Sequence, residues 1–489
     1  MKSLGRSVVV GVTLVLEVLC GAGSARGAGF ATSRFGGEHG NVTETNPLAL
    51  YYNPGAIGFS HAPLSAILDA QLALRSATWT HTAPQPGPSE SPDLQVGNSG
   101  KATLFNAFGA PAIAVTAKLD NLAFGVGFFV PFGGFAHWDK NDQMNTQSLA
   151  SHCLSSTMAP PCPRAADGVA RWHIIDGEVS NIYFTAGAGY RIGPLSIGVS
   201  GNLVLSTVRL SQAKNPSGSA LPDSANEGRA NLDVQGWDGS YGAGALLEIV
   251  PKHLWLGASY QAQPGLGSQT LTGTLDVYDA VPSHLPLREQ VTFLQAIPDV
   301  YRAGVRWRVG DAVELRAFGD YTRWSVMQAQ CLGLQTKAKD GSYVQHPCKV
   351  DTTGADASGG YVIQNIPRNW NDTYGARVGG SYWLNPKIEF FAGAGYETAA
   401  APDSTMEPGL MDANNIGVAL GARFMFEELF YFAVSYTHLQ FFDRDNTGRS
   451  QLETSSNGTS VMYPTVGQDG GGQYTQWVGV IDVNVQKEF

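Results

Sequence analysis

From about residue 60 onward the chain is written in period two. In Leu195, Ile197, Val199, Gly201, Leu203 and Leu205 one parity is apolar or small, while Ser196, Ser200, Asn202 and Ser206 occupy the other. The pattern returns in Ile182, Phe184, Ala186, Ala188, Tyr190; in Leu254, Leu256, Ala258, Tyr260; in Ile388, Phe390, Ala392, Ala394, Tyr396; and in Ile416, Val418, Leu420, Ala422, Phe424. Successive strand residues face opposite sides, so each segment predicts a strand with one greasy and one polar face. Many of these segments begin or end in an aromatic residue, as the girdles of a membrane barrel do.

The connections alternate in length. Short turns are expected at Leu119-Asp120-Asn121, Ile192-Gly193-Pro194, Pro251-Lys252-His253, Gly310-Asp311, Asn385-Pro386 and Glu427-Glu428. Long polar stretches lie near 79–101, 132–176, 211–229, 264–297, 326–370, 397–414 and 442–474. Together they predict about fourteen strands and an all-β fold, a transmembrane antiparallel barrel with short turns on one side and long loops on the other. The chain ends on Phe489, with Ile481, Val483 and Val485 on the same parity and Lys487 as a departure. This resembles the terminal strand signal read by barrel-assembly machinery, an expected partner during biogenesis.

Composition narrows the class. Charged residues are 15% against a typical ~25%, and glycine contributes 59 positions, well above the usual ~7%. A helical bundle would need several apolar runs of about twenty residues. One run comes close, Val8 to Cys20 behind Lys2 and Arg6, followed by small residues. It reads as a signal peptide, residues 1–27, with export to the bacterial outer membrane. Without it the balance is 28 basic to 40 acidic residues, which makes nucleic acid an unsuitable partner.

Four cysteines remain, in two local pairs: Cys153 with Cys162, and Cys331 with Cys348. Exported chains meet an oxidising compartment, so two disulfides in outer loops are expected. No cysteine or histidine spacing suits a metal, and no motif calls for a cofactor. Catalytic signatures such as a Gly-x-Ser-x-Gly elbow are missing from the sequence, so an enzyme is not expected. A barrel-type lipase and a water-filled porin are the alternatives outside the main reading.

Residues 28–60 do not alternate. A barrel of about fourteen strands has a lumen wider than side chains fill. This segment is expected to plug it, leaving 61–489 for the wall.

The segment Asn46 to Phe59, NPLALYYNPGAIGF, carries the first specific motif. It resembles the plug of the FadL family, outer-membrane transporters of long-chain fatty acids and related hydrophobic compounds. Ala28-Gly29-Phe30 matches the family's mature start and Asn53-Pro54 its Asn-Pro pair, with Gly55 in place of the usual Ala. The stretches Leu119–Gly134, Ala296–Ser325 and Asn369–Ser404 are similar to further family segments, in the expected order. The loop before Ile416 departs, having Asp412-Ala413-Asn414-Asn415 where the family often has an acidic-Arg pair.

The resemblance implies passive uptake by a monomer set in lipid and lipopolysaccharide. Long-chain fatty acids, or aromatic hydrocarbons on the same scaffold, would bind in the lumen and leave through a gap in the wall. Pro131, Phe132, Gly133 and Gly134 are the candidate gap, because proline cannot donate to a ladder and glycine marks bends. Arg302, Arg306, Arg316, Arg377 and Arg423 sit on polar parities and are expected to face the lumen, where some would bind a carboxylate or else balance lumen acids. Phe30, Phe35, Tyr51, Tyr52, Phe132, Phe135 and Trp138 are candidates for the apolar path.

Overall fold

The computed structural model describes residues 34–83, 97–139, 167–214, 227–278, 287–349, 357–426, 430–452 and 469–489. Counting a strand interrupted by a short break as one, fourteen strands form the wall. They are β1 (Leu64–His81), β2 (Gly100–Leu119), β3 (Leu122–His137), β4 (Asp176–Ile192), β5 (Leu195–Lys214) and β6 (Gly228–Val250). Four broken strands follow: β7 (Leu254–Gln261, then Gln269–Tyr278), β8 (Leu287–Gln295, then Val300–Val309), β9 (Val313–Thr322, then Ala329–Lys337) and β10 (Val362–Pro367, then Thr373–Asn385). The last are β11 (Ile388–Glu397), β12 (Asn415–Phe426), β13 (Phe430–Phe441) and β14 (Gln473–Glu488).

Neighbours pair antiparallel in chain order, and β1 closes on β14 from Ser65–Glu488 to Thr80–Gln473. The ring of strands is closed, as lipid requires because it offers no backbone partners, and the β2–β3 seam is laddered only from Leu119–Leu122 to Ile113–Phe128. Among the described residues no helix is long and apolar enough to cross a membrane, so the crossings are strands. The outward face holds Phe124, Val126, Ile197, Val199, Leu203, Val378, Val418 and Leu420, and the inward face holds Asp69, Gln71, Thr185, Ser200, Asn202, Ser381 and Asp482. The tight turns at 120–121, 193–194, 251–253, 310–312 and 386–387 fall where expected, with Gly193 and Gly310 at φ of 58° and 68°. The Glu427-Glu428 turn lies outside the described residues.

Two of the expected long loops are corrected. The stretches 264–297 and 326–370 contain the outer halves of β7 to β10, which continue the wall beyond a break. The breaks fall together, at 262–268, 296–299, 323–328 and 368–372. Just below them Tyr241, Tyr260, Tyr301, Tyr321 and Tyr374 form a row across five adjacent strands, with ring centroids 4.7–5.9 Å apart. Tyr belts mark membrane–water boundaries. Past the row the faces exchange character. Val208, Leu232, Leu271, Leu275, Val277, Val291, Phe293 and Leu332 form an inner apolar cluster, while Arg209 and Asp233 stand outside.

Residues 34–60 lie inside this wall. Phe35, Leu48, Leu50 and Ile57 are fully buried against lumen-facing residues. A short α-helix, α1 (Ala49–Tyr52), is followed by the 3-10 turn Pro54–Phe59. Asn53 caps that turn by accepting from the Gly55 amide. The wall is made of glycine where the plug touches it. A Cβ on Gly198 would meet the Pro54 carbonyl at 2.4 Å, and one on Gly244 would meet Asn53 Oδ1 at 2.1 Å. These glycines permit close approach of backbone to backbone.

Candidate functional site

Four arginines join plug and wall, Arg306, Arg316 and Arg423 on the side of the tight turns and Arg34 nearer the middle of the barrel. Glu44 pairs with Arg306 at 3.2 Å and Arg316 at 3.4 Å. His39 meets Glu389 at 3.2 Å, and Arg423 meets the same carboxylate at 2.6 Å. Arg34 reaches Glu397 at 3.5 Å. Arg306, Arg316 and Arg423 are thus engaged with acids, the balancing role, and none of them lines either cavity described below.

Toward the middle of the barrel a cavity of about 660 Å³, open space at its mouth included, lies between plug and wall. Tyr51, Tyr52, Pro131, Phe132, Arg302, Asp320, Arg377 and Glu397 line it. Arg302 donates to the Tyr51 hydroxyl at 3.0 Å and lies 4.8 Å from that ring. Arg377 lies 5.8 Å from the Phe318 ring.

A larger cavity of about 1410 Å³, likewise open to solvent, lies beyond it on the side of the long loops. Its apolar wall is the inner cluster of the outer strand halves. Loop residues roof it, among them His173, Ile174, Glu407 and Leu410. The roof is pinned by buried charge. Arg368 pairs with Glu407 at 2.6 Å and His173 with the same carboxylate at 2.9 Å. Burial alone would raise the Glu407 carboxyl, but Arg368 and His173 outweigh it and hold it down at about 2. Nearby Arg171 pairs with Glu227 at 2.6 Å, both side chains fully buried. Trp138 is buried in the same region, its amide donating to the Ile175 carbonyl at 3.2 Å.

On three strands, β8 to β10, the residues lining the two cavities are separated by the breaks. Phe293 and Val300 flank Ile297; Thr322 and Gln330 flank Trp324 and Met327; Arg368 and Arg377 flank Trp370. The broken segments turn inward and form an apolar waist. Trp324 lies 5.0 Å from Trp370 and 6.1 Å from Phe132 across the lumen. Asp299 holds one break through Arg323 at 2.6 Å, and Asp372 holds another through the Ser325 amide at 2.9 Å.

The third strand is interrupted at the waist. Its ladder with β2 ends at Ile113–Phe128, while its ladder with β4 shifts register between Phe129 and Phe132, around Pro131. Above this point β3 is tied to β2 by the His137 backbone amide donating to Asn106 Oδ1 at 3.1 Å, and the residue two beyond it by the Asp139 amide donating to the Thr103 carbonyl at 2.8 Å. Gly133 and Gly134 belong to the freed stretch and still pair with β4. Behind it Phe35 of the plug packs on Phe129 at 5.8 Å and on Tyr51 at 6.0 Å.

Cys331 and Cys348 are bonded, Cys331 on the outer half of β9 and Cys348 in the loop after it. Phe30, Cys153 and Cys162 lie outside the described residues. The candidate list omits Trp324 and Trp370, although both stand in the Thr-Arg-Trp-Ser and Asn-Trp-Asn-Asp stretches. It also omits Arg75, an unremarkable polar-parity residue until register is known.

Fold comparison agrees with this geometry. A FadL homologue from Pseudomonas aeruginosa matches with TM-score 0.69 at 18% identity, over 96% of this chain and 99% of that one. The toluene transporter TodX of P. putida matches at 0.60 and 14%, over 95% and 99%. The toluene transporter TbuX of Ralstonia pickettii matches at 0.55 and 17%, over 95% and 99%. No curated protein sequence matches the chain. The family model described as outer membrane protein transport protein (OMPP1/FadL/TodX) matches residues 164–469, more than half of the sequence. With a closed fourteen-stranded wall, a filled lumen and an interrupted third strand already in place, that match makes this chain a member of the FadL/TodX family of outer-membrane transport proteins.

Proposed function

We propose that this chain carries hydrophobic compounds across the outer membrane, with long-chain fatty acids as the substrate class. The observation that carries the reading is the run of apolar side chains from the wall of the roofed outer cavity, through the packed rings of the waist, to the freed stretch of β3. A ligand would be collected in the outer cavity, pass Phe132, Trp324 and Trp370, and leave sideways between β2 and β3. The ladder to β2 has ended there, and plug residues Tyr51 and Tyr52 line the cavity beside Pro131. Phe35 and the residues before it are the gate. No energy source is required, because the ligand moves down its own gradient.

The same reading assigns 1–27 to a removed signal peptide, 28–60 to the plug and 61–489 to the wall, in a monomer surrounded by lipid and lipopolysaccharide. Monoaromatic hydrocarbons are the second substrate class. The aromatic lining of the waist favours it, as does the fold likeness to toluene transporters.

The test replaces Pro131, Gly133 and Gly134 with valine, restoring a donor and β-forming residues. Uptake of radiolabelled palmitate into cells should be abolished while the barrel keeps its folded, heat-modifiable mobility. Uptake at the original rate in this sealed variant would exclude the lateral route.

A further inference from the structure

The outer cavity contains a charge that no described residue around it balances. Arg75, on the inner face of β1, is 1% exposed and lines the cavity. Its Nε and Nη2 donate to Gln476 Oε1 at 3.2 and 2.8 Å, and Nη1 donates to the Phe135 carbonyl at 3.4 Å. Both acceptors are neutral. Among the described residues no carboxylate pairs with it, whereas Arg368, which also lines the cavity, has Glu407. A guanidinium does not shed its proton, and a buried charge without a counter-charge is costly. These three bonds also use only part of its five N–H donors.

The position is specific. Phe135 belongs to the stretch of β3 freed from β2, so the guanidinium stands at the inner mouth of the wall gap. From there the cavity extends along Val208, Leu232, Leu275, Val277 and Phe293, an aliphatic wall with one ring. Glu178 and Glu407 also line the cavity, which disfavours a dianion such as a phosphate monoester.

We propose that Arg75 anchors the carboxylate of a singly charged amphiphile whose aliphatic tail lies along that wall, so that the cavity selects acids over neutral hydrocarbons. This rests on the reading of the cavity as a site for hydrophobic ligands. A carboxylate would supply the missing counter-charge through charge-assisted bonds.

The experiment measures equilibrium binding of tritiated palmitate and tritiated hexadecanol to the purified full-length protein in detergent at pH 8. The two probes share a chain and differ in the head group. The wild-type protein should bind palmitate on the order of tenfold more tightly than hexadecanol. Arg75→Gln should remove that preference and leave hexadecanol binding unchanged, and Arg75→Lys should retain part of it. If Arg75→Gln keeps the preference, the anchor is wrong. The wild-type pair provides an arm that needs no variant. Equal affinity for both probes overturns the anchor and leaves the hydrophobic site standing, whereas binding of neither overturns both.

Discussion

Replacing Asn53 with alanine should loosen the plug without unfolding the wall. Asn53 is fully buried, and its amide makes three bonds. Nδ2 donates to the Val42 carbonyl at 2.7 Å and to the Ala245 carbonyl at 2.9 Å, and Oδ1 accepts from the Gly55 amide at 3.1 Å. One bond closes the turn, one ties the plug to itself and one ties it to β6. At about 1 kcal/mol each, with an added penalty for buried groups left unpaired, the loss is about 2–4 kcal/mol. That shifts the docked-to-loosened ratio by roughly 30- to 1000-fold. The ion pairs of Glu44 and His39 remain, so the segment should open locally rather than leave. Hydrogen exchange of the amides from Val42 to Ile57 should accelerate by that factor, while the strand amides of β1 to β6 exchange as before. Single-channel recordings should show brief ionic openings that the wild-type protein lacks. Gly244→Ala, whose new Cβ would press on Asn53 Oδ1, should produce the same pattern. If exchange in 42–57 is unchanged in both variants, the Asn-Pro turn is not what docks the plug.

Three further outcomes are expected. The Glu407 carboxyl is held below its ordinary value, so its contribution to the roof is complete above about pH 4.5 and is lost as pH falls toward 2; Glu407→Gln should open the roof at neutral pH, read as faster proteolysis of the 398–414 loop. Reducing Cys331–Cys348, which closes 17 residues, should release about 3 kcal/mol of restraint on the outer half of β9 and expose 338–347 to protease, with the wall spectrum unchanged. Trp324→Ala should cost about 3–5 kcal/mol of stability by thermal melting, and it should speed passage of bulky ligands relative to slender ones.

The transmembrane part of the wall was legible because lipid outside and a polar lumen inside impose strict alternation, as in Ile197 to Leu203. The outer halves of β7 to β10 were not legible. There water is outside and the apolar cavity inside, so residues such as Thr270, Thr272, Thr274 and Asp276 give the segment the composition of a loop. The Asn53-Pro54 motif was legible through the family resemblance rather than from residue chemistry, because Asn53 works through side-chain bonds to Val42 and Ala245 that are distant in sequence. For Pro131 the missing backbone donor offered a local signal, which the resemblance turned from a strand end into an interruption. The roles of the arginines depended on register. Arg316 meets Glu44 across 272 residues of sequence, and Arg75 has no acid among the described residues, with Asn106 and Val478 opposite it in the ladders. No local pattern encodes either fact.

The exchange of faces above the tyrosine row bears on how a carrier can work without fuel. Returning a sixteen-carbon chain to water costs about 0.8 kcal/mol per CH₂, or roughly 12 kcal/mol in all. A single wet stage on the route would therefore stall a ligand that has only its gradient to move it. A wall that stays lipid-like throughout would be greasy outside where the surroundings are sugar and water. Inverting the strand pattern instead continues the hydrocarbon environment of the bilayer upward on the inside alone. The outer halves of β7 to β10 act in this sense as a sleeve of membrane interior, turned inward and raised into the polar layer above.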